Sequence, residues 1–472
     1  MLSSTQLVLE TAKGAGMSGR RTAAGAVVTV RGGGLRRADA VEGPADGRAA
    51  VPLWWVWLAA WPVTAVFALS NAATPLYVLW QDELGFSGGT LTVVFASYIV
   101  GLLASLLCCG VLSDRFGRRP VLLPALGIAL AACLMFATAH HVAVLIVARL
   151  FTGLAVGAAV SAGMAAVTDV AGPDRRRLGA LLASSAMVFG AGLGPLLSGV
   201  LSETLPAPTV TVFVVEAALL GTAALVVWRM PIRRPRAPGA PGAPGEGAAS
   251  GPAGAAGPDR GGHRGGGAWV RVPGVPRGSG WHLALGVAVF GPGIVATSFV
   301  LSLGPSLLTG LLDSDSRVVP GALAFSMFLA STCVQFAVQR RSRHTILVGG
   351  AVSIVLGMVT LVVAVHTAAV WALVAAAVLA GAGQGMGQLG GLSLLNSSVP
   401  PHRLAEANAA FSVGGYAPAG VLAVGAGYLT DAVGLTSAAT TFGLTLATAA
   451  GLGGALVLAR RSREGRGGPA PR

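Results

Sequence analysis

The sequence predicts an all-α membrane protein of twelve transmembrane helices, arranged as two pseudo-symmetric six-helix bundles. Three observations lead there. Of the 472 residues, 54% are hydrophobic and only 11% charged, and the mean hydropathy of +0.73 is far above that of an ordinary soluble chain. Apolar runs of about 20 residues, long enough to cross a hydrocarbon core of roughly 30 Å as helices, recur twelve times. A Pro/Gly/Ala-rich stretch divides six of these runs from the other six.

In order, the runs fall at residues 54–80, 89–112, 119–139, 142–168, 178–202, 208–229, 283–311, 319–338, 345–365, 368–395, 405–430 and 435–458. They are hydrophobic all round, whereas a soluble helical protein would need amphipathic faces. Several contain Gly or Pro, which membrane helices accept when neighbours satisfy the backbone. Residues 1–51 contain no apolar segment of signal-peptide type and are rich in Gly, Ala and Arg, so a disordered cytoplasmic tail is expected there. A translation start at Met17 or later is compatible with that composition. The first bundle is then 52–230 and the second 282–460. Between them, 231–281 holds the low-complexity stretch RRPRAPGAPGAPGEGAASGPAGAAGPDRGGHRGGG at 233–267, expected to be a flexible cytoplasmic linker. Residues 461–472 form a second cytoplasmic tail.

The net charge of +14 invites a nucleic-acid reading, but the placement of the charges excludes it. Arg115, Arg118, Arg119, Arg175, Arg176, Arg177, Arg340, Arg341, Arg343 and Arg403 fall in alternate loops. The intervening loops carry Asp82, Glu83, Glu203, Asp313, Asp315 and Asp431, with Arg317 as their only basic residue. This is the positive-inside bias, and with an even number of spans it puts both termini in the cytoplasm of a plasma-membrane protein. The lipid bilayer is the expected partner, not nucleic acid. The four cysteines, Cys108, Cys109, Cys133 and Cys333, all fall within spans and show no metal-ligand spacing.

The two halves repeat. Pro75 matches Pro305 at an offset of 230, and RFGRRPVLL from Arg115 matches RRSRHTILV from Arg340 at 225. Gly153 and Gly157 match Gly381 and Gly385 at 228, as Gly199 matches Gly427. Parallel six-helix repeats joined by a cytoplasmic linker are the plan of a secondary transporter with its site at the midplane between the halves.

GVLSDRFGRRPVL, with Gly110, Asp114, Arg115, Gly117, Arg118 and Arg119, closely resembles the loop 2–3 signature of the major facilitator superfamily (MFS). ARLFTGLAVG, with Arg149, Gly153 and Gly157, resembles the family's arginine-glycine motif in span four. GAGLGPLLSG, with Gly190, Gly194, Pro195 and Gly199, is similar to the span-five motif of its proton-driven drug antiporters. It departs from that motif where Ser198 replaces a glycine and Leu181 stands at the distal glycine position. The resemblance implies the MFS fold, alternating access, a small-molecule substrate, protons as the coupling partner, and a monomer. It also implies that Asp114 latches the other half when the inner gate is closed. The aligned position in the second half is Gln339, so a one-sided latch is expected.

Physical chemistry bears on the same residues. Gly110 and Gly117 permit tight helix ends, and the loop arginines hold the turn inside. Arg149 lies about seven residues within span four, where an arginine is costly unless it faces a cavity or a partner; snorkelling to the outer interface is the alternative. Glu216, the carboxylate deepest in any span, is a candidate proton carrier. Asp169 closes the inner end of span four and is more plainly a helix-end and gate residue, although it stays among the coupling candidates. Span one carries Asn71 where the resemblance leads one to expect an acid. Asn71, Tyr77, Tyr98, Gln384, Gln388, Asn396 and Tyr416 are candidates for the cavity wall; each could equally serve an interhelical hydrogen bond. GMGQLG at 385–390 matches a nucleotide-binding pattern, but it lies inside an apolar span with no preceding strand and reads as helix packing. With no Walker loop, catalytic triad or metal cluster in the sequence, neither an enzyme nor a bound cofactor or metal is expected. The expected function is proton-coupled efflux of small organic compounds. A proton-symport importer of a metabolite and a transport-inactive receptor or assembly protein are the alternatives.

Overall fold

The computed structural model describes residues 51–231, 274–276, 278–312, 316–400 and 403–466. The expected N-terminal tail, most of the expected linker and most of the C-terminal tail lie outside them. Twelve helices among the described residues are long and apolar enough to cross a membrane, and no strand occurs among them. These spans are Leu53–Leu84, Gly88–Ser113, Arg119–Ala137, Val142–Ala171, Leu178–Thr204 and Pro208–Arg229, then Gly280–Thr309, Val318–Val338, Arg343–Thr367, Val370–Ser398, Glu406–Val433 and Leu435–Arg460. We call the end of the bundle that holds the 2–3, 4–5, 8–9 and 10–11 loops proximal, and the opposite end distal.

Two spans are interrupted. Span one is α-helical over Leu53–Ala72, tightens to a 3₁₀ turn over Thr74–Leu76 and resumes over Tyr77–Leu84; Pro75, which has no N–H to donate, sits in the break. Its repeat mate Pro305 lies in an uninterrupted helix, Gly280–Leu312, so the two prolines do not mark one backbone feature. Span four widens to a π-turn over Ala159–Gly163. Span two was expected to run to residue 112, and its helix continues four residues further, through Gly110 to Phe116. Nothing in that stretch breaks a helix until Gly117, which takes φ +93° and returns its N–H to the Ser113 carbonyl at 3.1 Å. A side chain at that φ is strained, so glycine sets the stop.

Helix pairing repeats with a shift of six spans. Spans two and four, one and five, three and four, and three and six pack together in the first half. Eight and ten, seven and eleven, nine and ten, and nine and twelve do so in the second. Small residues make the tightest crossings. A Cβ at Gly153 would meet the Tyr98 carbonyl of span two, and one at Gly381 would meet the Met327 carbonyl of span eight. Gly157 and Gly385 stand likewise against Ser105 and Ser331. Without a hydrophobic drive between helices in lipid, this close backbone approach is what holds the seam. Ser105 Oγ adds a hydrogen bond to the Leu154 carbonyl at 2.6 Å. The halves meet along spans two and eleven and along spans five and eight, two seams that exchange under the repeat.

Candidate functional site

Between the halves lies a cavity whose wall is supplied by spans of both. Span one presents Phe67, Ser70 and Asn71, span two Phe95, Tyr98 and Ile99, and span five Met187, Val188 and Ala191. The second half supplies Thr297 and Ser298 from span seven, Phe328 and Ser331 from span eight, Gln384 and Gln388 from span ten and Tyr416 from span eleven. Among the described residues no charged side chain lines it. The wall is therefore aromatic and aliphatic, with neutral amides and hydroxyls set into it. Ser331 Oγ donates to Gln384 Oε1 at 2.8 Å, and Gln384 Nε2 donates to Gln388 Oε1 at 3.2 Å. Asn71 Nδ2 donates to the Ala191 carbonyl at 3.2 Å, tying span one to span five at the cavity edge.

Asn71, Tyr98, Gln384, Gln388 and Tyr416 are thus brought together at the cavity, while Tyr77 and Asn396 are not. Asn396 is exposed near the proximal end of span ten, eight residues beyond Gln388 and so about 12 Å along the axis at the helical rise. Tyr77 is fully buried and accepts a hydrogen bond from Arg149 Nε. Sequence reasoning missed Phe67 and Ser70, although with Asn71 they fall at i, i+3 and i+4 on one helix face. It also missed Phe95, Thr297, Ser298, Phe328 and Ser331, whose small or apolar side chains carry little signal of their own.

Arg149 does not snorkel. It is completely buried, and its Nη1 donates to the Ser70 carbonyl. Its guanidinium sits over the rings of Tyr77, Phe95 and Phe136 at 5.1, 5.9 and 5.8 Å, where ring faces attract a cation. Ser70 and Phe95 both line the cavity, so Arg149 lies one layer behind its wall. Glu216 is 2% exposed, and its Oε2 has no partner among the described residues; it does not line the cavity. Asp169 lies at the proximal end, where Arg118 Nε donates to its Oδ2 at 3.0 Å. Arg118 Nη1 also reaches Ser113 Oγ at 2.8 Å, and Arg119 Nη2 the Met230 carbonyl. These arginines bind the 2–3 loop to the ends of spans two, four and six. The Asp114 side chain lies outside the described residues. Gln339 Nε2 donates to the Phe336 carbonyl of its own span at 3.1 Å.

The span-five glycines serve two seams. A Cβ at Gly190 or Gly194 would strike the Thr64 or Ala68 carbonyl of span one, and one at Gly199 would meet the Arg317 carbonyl at the head of span eight. Gly321 of span eight stands in turn against the Pro195 carbonyl.

Comparison with known proteins agrees with this architecture. The profile of the Major Facilitator Superfamily matches residues 56–367. The uncharacterised MFS-type transporter YfkF of Bacillus subtilis is 27% identical over 159 residues, 34% of this chain and 40% of its own length. The multidrug resistance protein MdtL of Klebsiella pneumoniae is 31% identical over 96 residues, 20% of this chain and 24% of its own. The class C tetracycline resistance protein of Escherichia coli is 34% identical over 157 residues, 32% of this chain and 36% of its own. This chain therefore aligns with less than half the length of each of these relatives. Among solved structures, a bacterial homologue of the human lysosomal transporter Spinster, in an inward-facing and occupied conformation, superposes with a TM-score of 0.62. It is 13% identical and covers 88% of this chain and 98% of its own. The nucleoside transporter NupG superposes at 0.60 with 14% identity, covering 86% and 99%. The repeated six-span halves, the cavity between them and the matched profile lead to one conclusion: the chain belongs to the Major Facilitator Superfamily of membrane transporters.

Proposed function

We propose that this transporter exports small, uncharged, largely apolar organic compounds in exchange for protons, by alternating access. The observation that carries the reading is the cavity wall, built from both halves, rich in aromatic rings and, among the described residues, free of charged side chains. A solute held there loses no ion pair when the halves part. The likeness to a multidrug and a tetracycline resistance protein supports export as the direction. One proton moving down about 100 mV supplies about 2.3 kcal/mol, enough for roughly a fifty-fold gradient of a neutral solute. For coupling we propose Arg149, one layer behind the wall, and Glu216, whose buried Oε2 has no partner among the described residues. Asp114 is proposed as the inner latch, and the alternating basic loops support cytoplasmic termini in a plasma-membrane protein.

The three cavity amides and the hydroxyls beside them also suit import of a polar, uncharged metabolite, and one experiment separates the two readings. Cells with and without the protein are loaded with a panel of uncharged fluorescent or radiolabelled compounds, with and without a protonophore. Export predicts lower accumulation in expressing cells, restored by the protonophore. Higher accumulation in expressing cells would establish import, and equal accumulation across the panel would refute transport of this solute class.

A further inference from the structure

We propose that Glu203 and Asp431 are paired gate carboxylates that close the distal end of the transport path, each by binding the N-terminus of a helix from the opposite half. The proposal rests on the alternating-access reading. Asp431, at the end of span eleven, accepts the Gly88 N–H on Oδ1 at 3.0 Å and the Gly89 N–H on Oδ2 at 2.9 Å. Glu203, at the end of span five, accepts the Arg317 N–H and, at 3.1 Å, the Val318 N–H at the head of span eight.

The first N–H groups of a helix have no partner within it and carry its positive dipole end, so a carboxylate is a fitting cap. In span two the accounting is complete. Asp431 takes Gly88 and Gly89, Ser87 Oγ takes Thr90 at 3.3 Å, and the Ser87 carbonyl takes Leu91 at 3.0 Å. A cap normally comes from the helix's own leading residues; here two of the three capping bonds are borrowed across the interface.

The two contacts are copies under the repeat. Glu203 and Asp431 are 228 residues apart, the offset of the glycine landmarks, and Gly88 and Arg317 are 229 apart, as are Gly89 and Val318. The side chains fit their receivers. Asp431 meets two glycines, and a Cβ at Gly89 would lie 2.7 Å from its Oδ2 and 2.7 Å from the Tyr428 ring. Glu203 meets residues that carry side chains, and its extra methylene gives it the reach. Arg317 Nη1 adds a bond to the Ser202 carbonyl at 3.0 Å. In contrast, the described proximal bonds of Arg118 to Asp169, Arg343 to Ser397 and Ser279 to the Ser398 carbonyl each stay within one half. For the distal end to open, both carboxylates must release their N–H groups. They favour the distally closed form by whatever these bonds exceed hydration in the open one.

The test uses the full-length protein in lipid nanodiscs with its four cysteines replaced and spin labels at His140 and Thr367, exposed distal positions in opposite halves that take no part in either contact. Pulsed electron resonance reads the distance distribution. Asp431→Asn and Glu203→Gln should each raise the ratio of the longer, distally open population roughly five- to thirty-fold, and the double variant should raise it further. Gly89→Ala, which removes no charge, should reproduce the Asp431→Asn shift. Asp82→Asn, at an exposed distal carboxylate outside both contacts, should leave the distribution unchanged. An unchanged distribution in the double variant, or an equal shift in Asp82→Asn, overturns the gate. Because this readout needs no substrate, a shift without transport in the parent would support the gate while refuting the export reading. Transport in the parent with no shift in any variant would do the reverse.

Discussion

Replacing Gly194 with alanine tests whether the span-five glycines are packing devices. The added methyl would meet the Ala68 carbonyl, which is backbone and cannot swing aside as a side chain could. Spans one and five would have to separate by roughly an ångström to accommodate it, and a gap of about that size forfeits up to half of each dispersion contact along the seam. Overpacking of this kind costs about 1–3 kcal/mol, and a clash with backbone belongs at the upper end, where about 3 kcal/mol is a factor of roughly 150 in an equilibrium constant. The comparison is Gly221→Ala, in an exposed stretch of span six where a Cβ meets nothing within 4 Å; there alanine should stabilise the helix slightly. Fluorescence-monitored melting in detergent micelles should show Gly194→Ala well below the parent and Gly221→Ala at or above it. Gly194→Leu should still reach the membrane but transport nothing. Equal melting of the two alanine variants would refute the seam, whatever happened to transport.

Four further outcomes follow from the same geometry. Gln384→Ala takes an amide out of the cavity wall; a neutral hydrogen bond from it to a transported compound is worth about 1 kcal/mol, so the apparent KM should rise roughly five-fold, while loss of its bonds with Ser331 and Gln388 should lower the melting temperature modestly. Arg149→Lys keeps the charge but loses the fork that serves the Tyr77 hydroxyl and the Ser70 carbonyl together. Each bond from a charged donor contributes about 1.5–3 kcal/mol, so both the melting temperature and transport should fall. Gly153→Ala and Gly381→Ala occupy equivalent crossings and should lower the melting temperature by similar amounts; a silent variant in either half would contradict the repeat. Glu216→Gln should melt like the parent yet lose the dependence of transport on a pH gradient. If that dependence survives, Glu216 is not the proton carrier.

The fold was largely legible because membrane spans announce themselves by run length, and the helix ends fall within a few residues of the sequence-predicted limits. The interruptions at Thr74–Leu76 and Ala159–Gly163 were not, since apolar composition does not report backbone pitch. At the site, legibility followed chemistry. The amides Asn71, Gln384 and Gln388 stand out in apolar spans and do line the cavity, whereas Phe95 and Phe328 look like any other packing residue. Tyr77 and Asn396 misled for opposite reasons. Tyr77 is polar but spoken for by Arg149, and Asn396 is polar because its end of span ten is exposed. Glu203 and Asp431 read from the sequence only as loop acids, because their partners are backbone N–H groups more than a hundred residues away in the chain.

Proton-driven export itself is tested most directly with the purified protein in proteoliposomes, using an uncharged fluorescent compound and an entrapped pH indicator. With a pH gradient imposed, exchange requires the compound to move against its own gradient while protons move the opposite way, and both fluxes to vanish in Gly194→Leu. Protons and compound moving in the same direction, or compound flux that ignores the imposed gradient, would contradict the account.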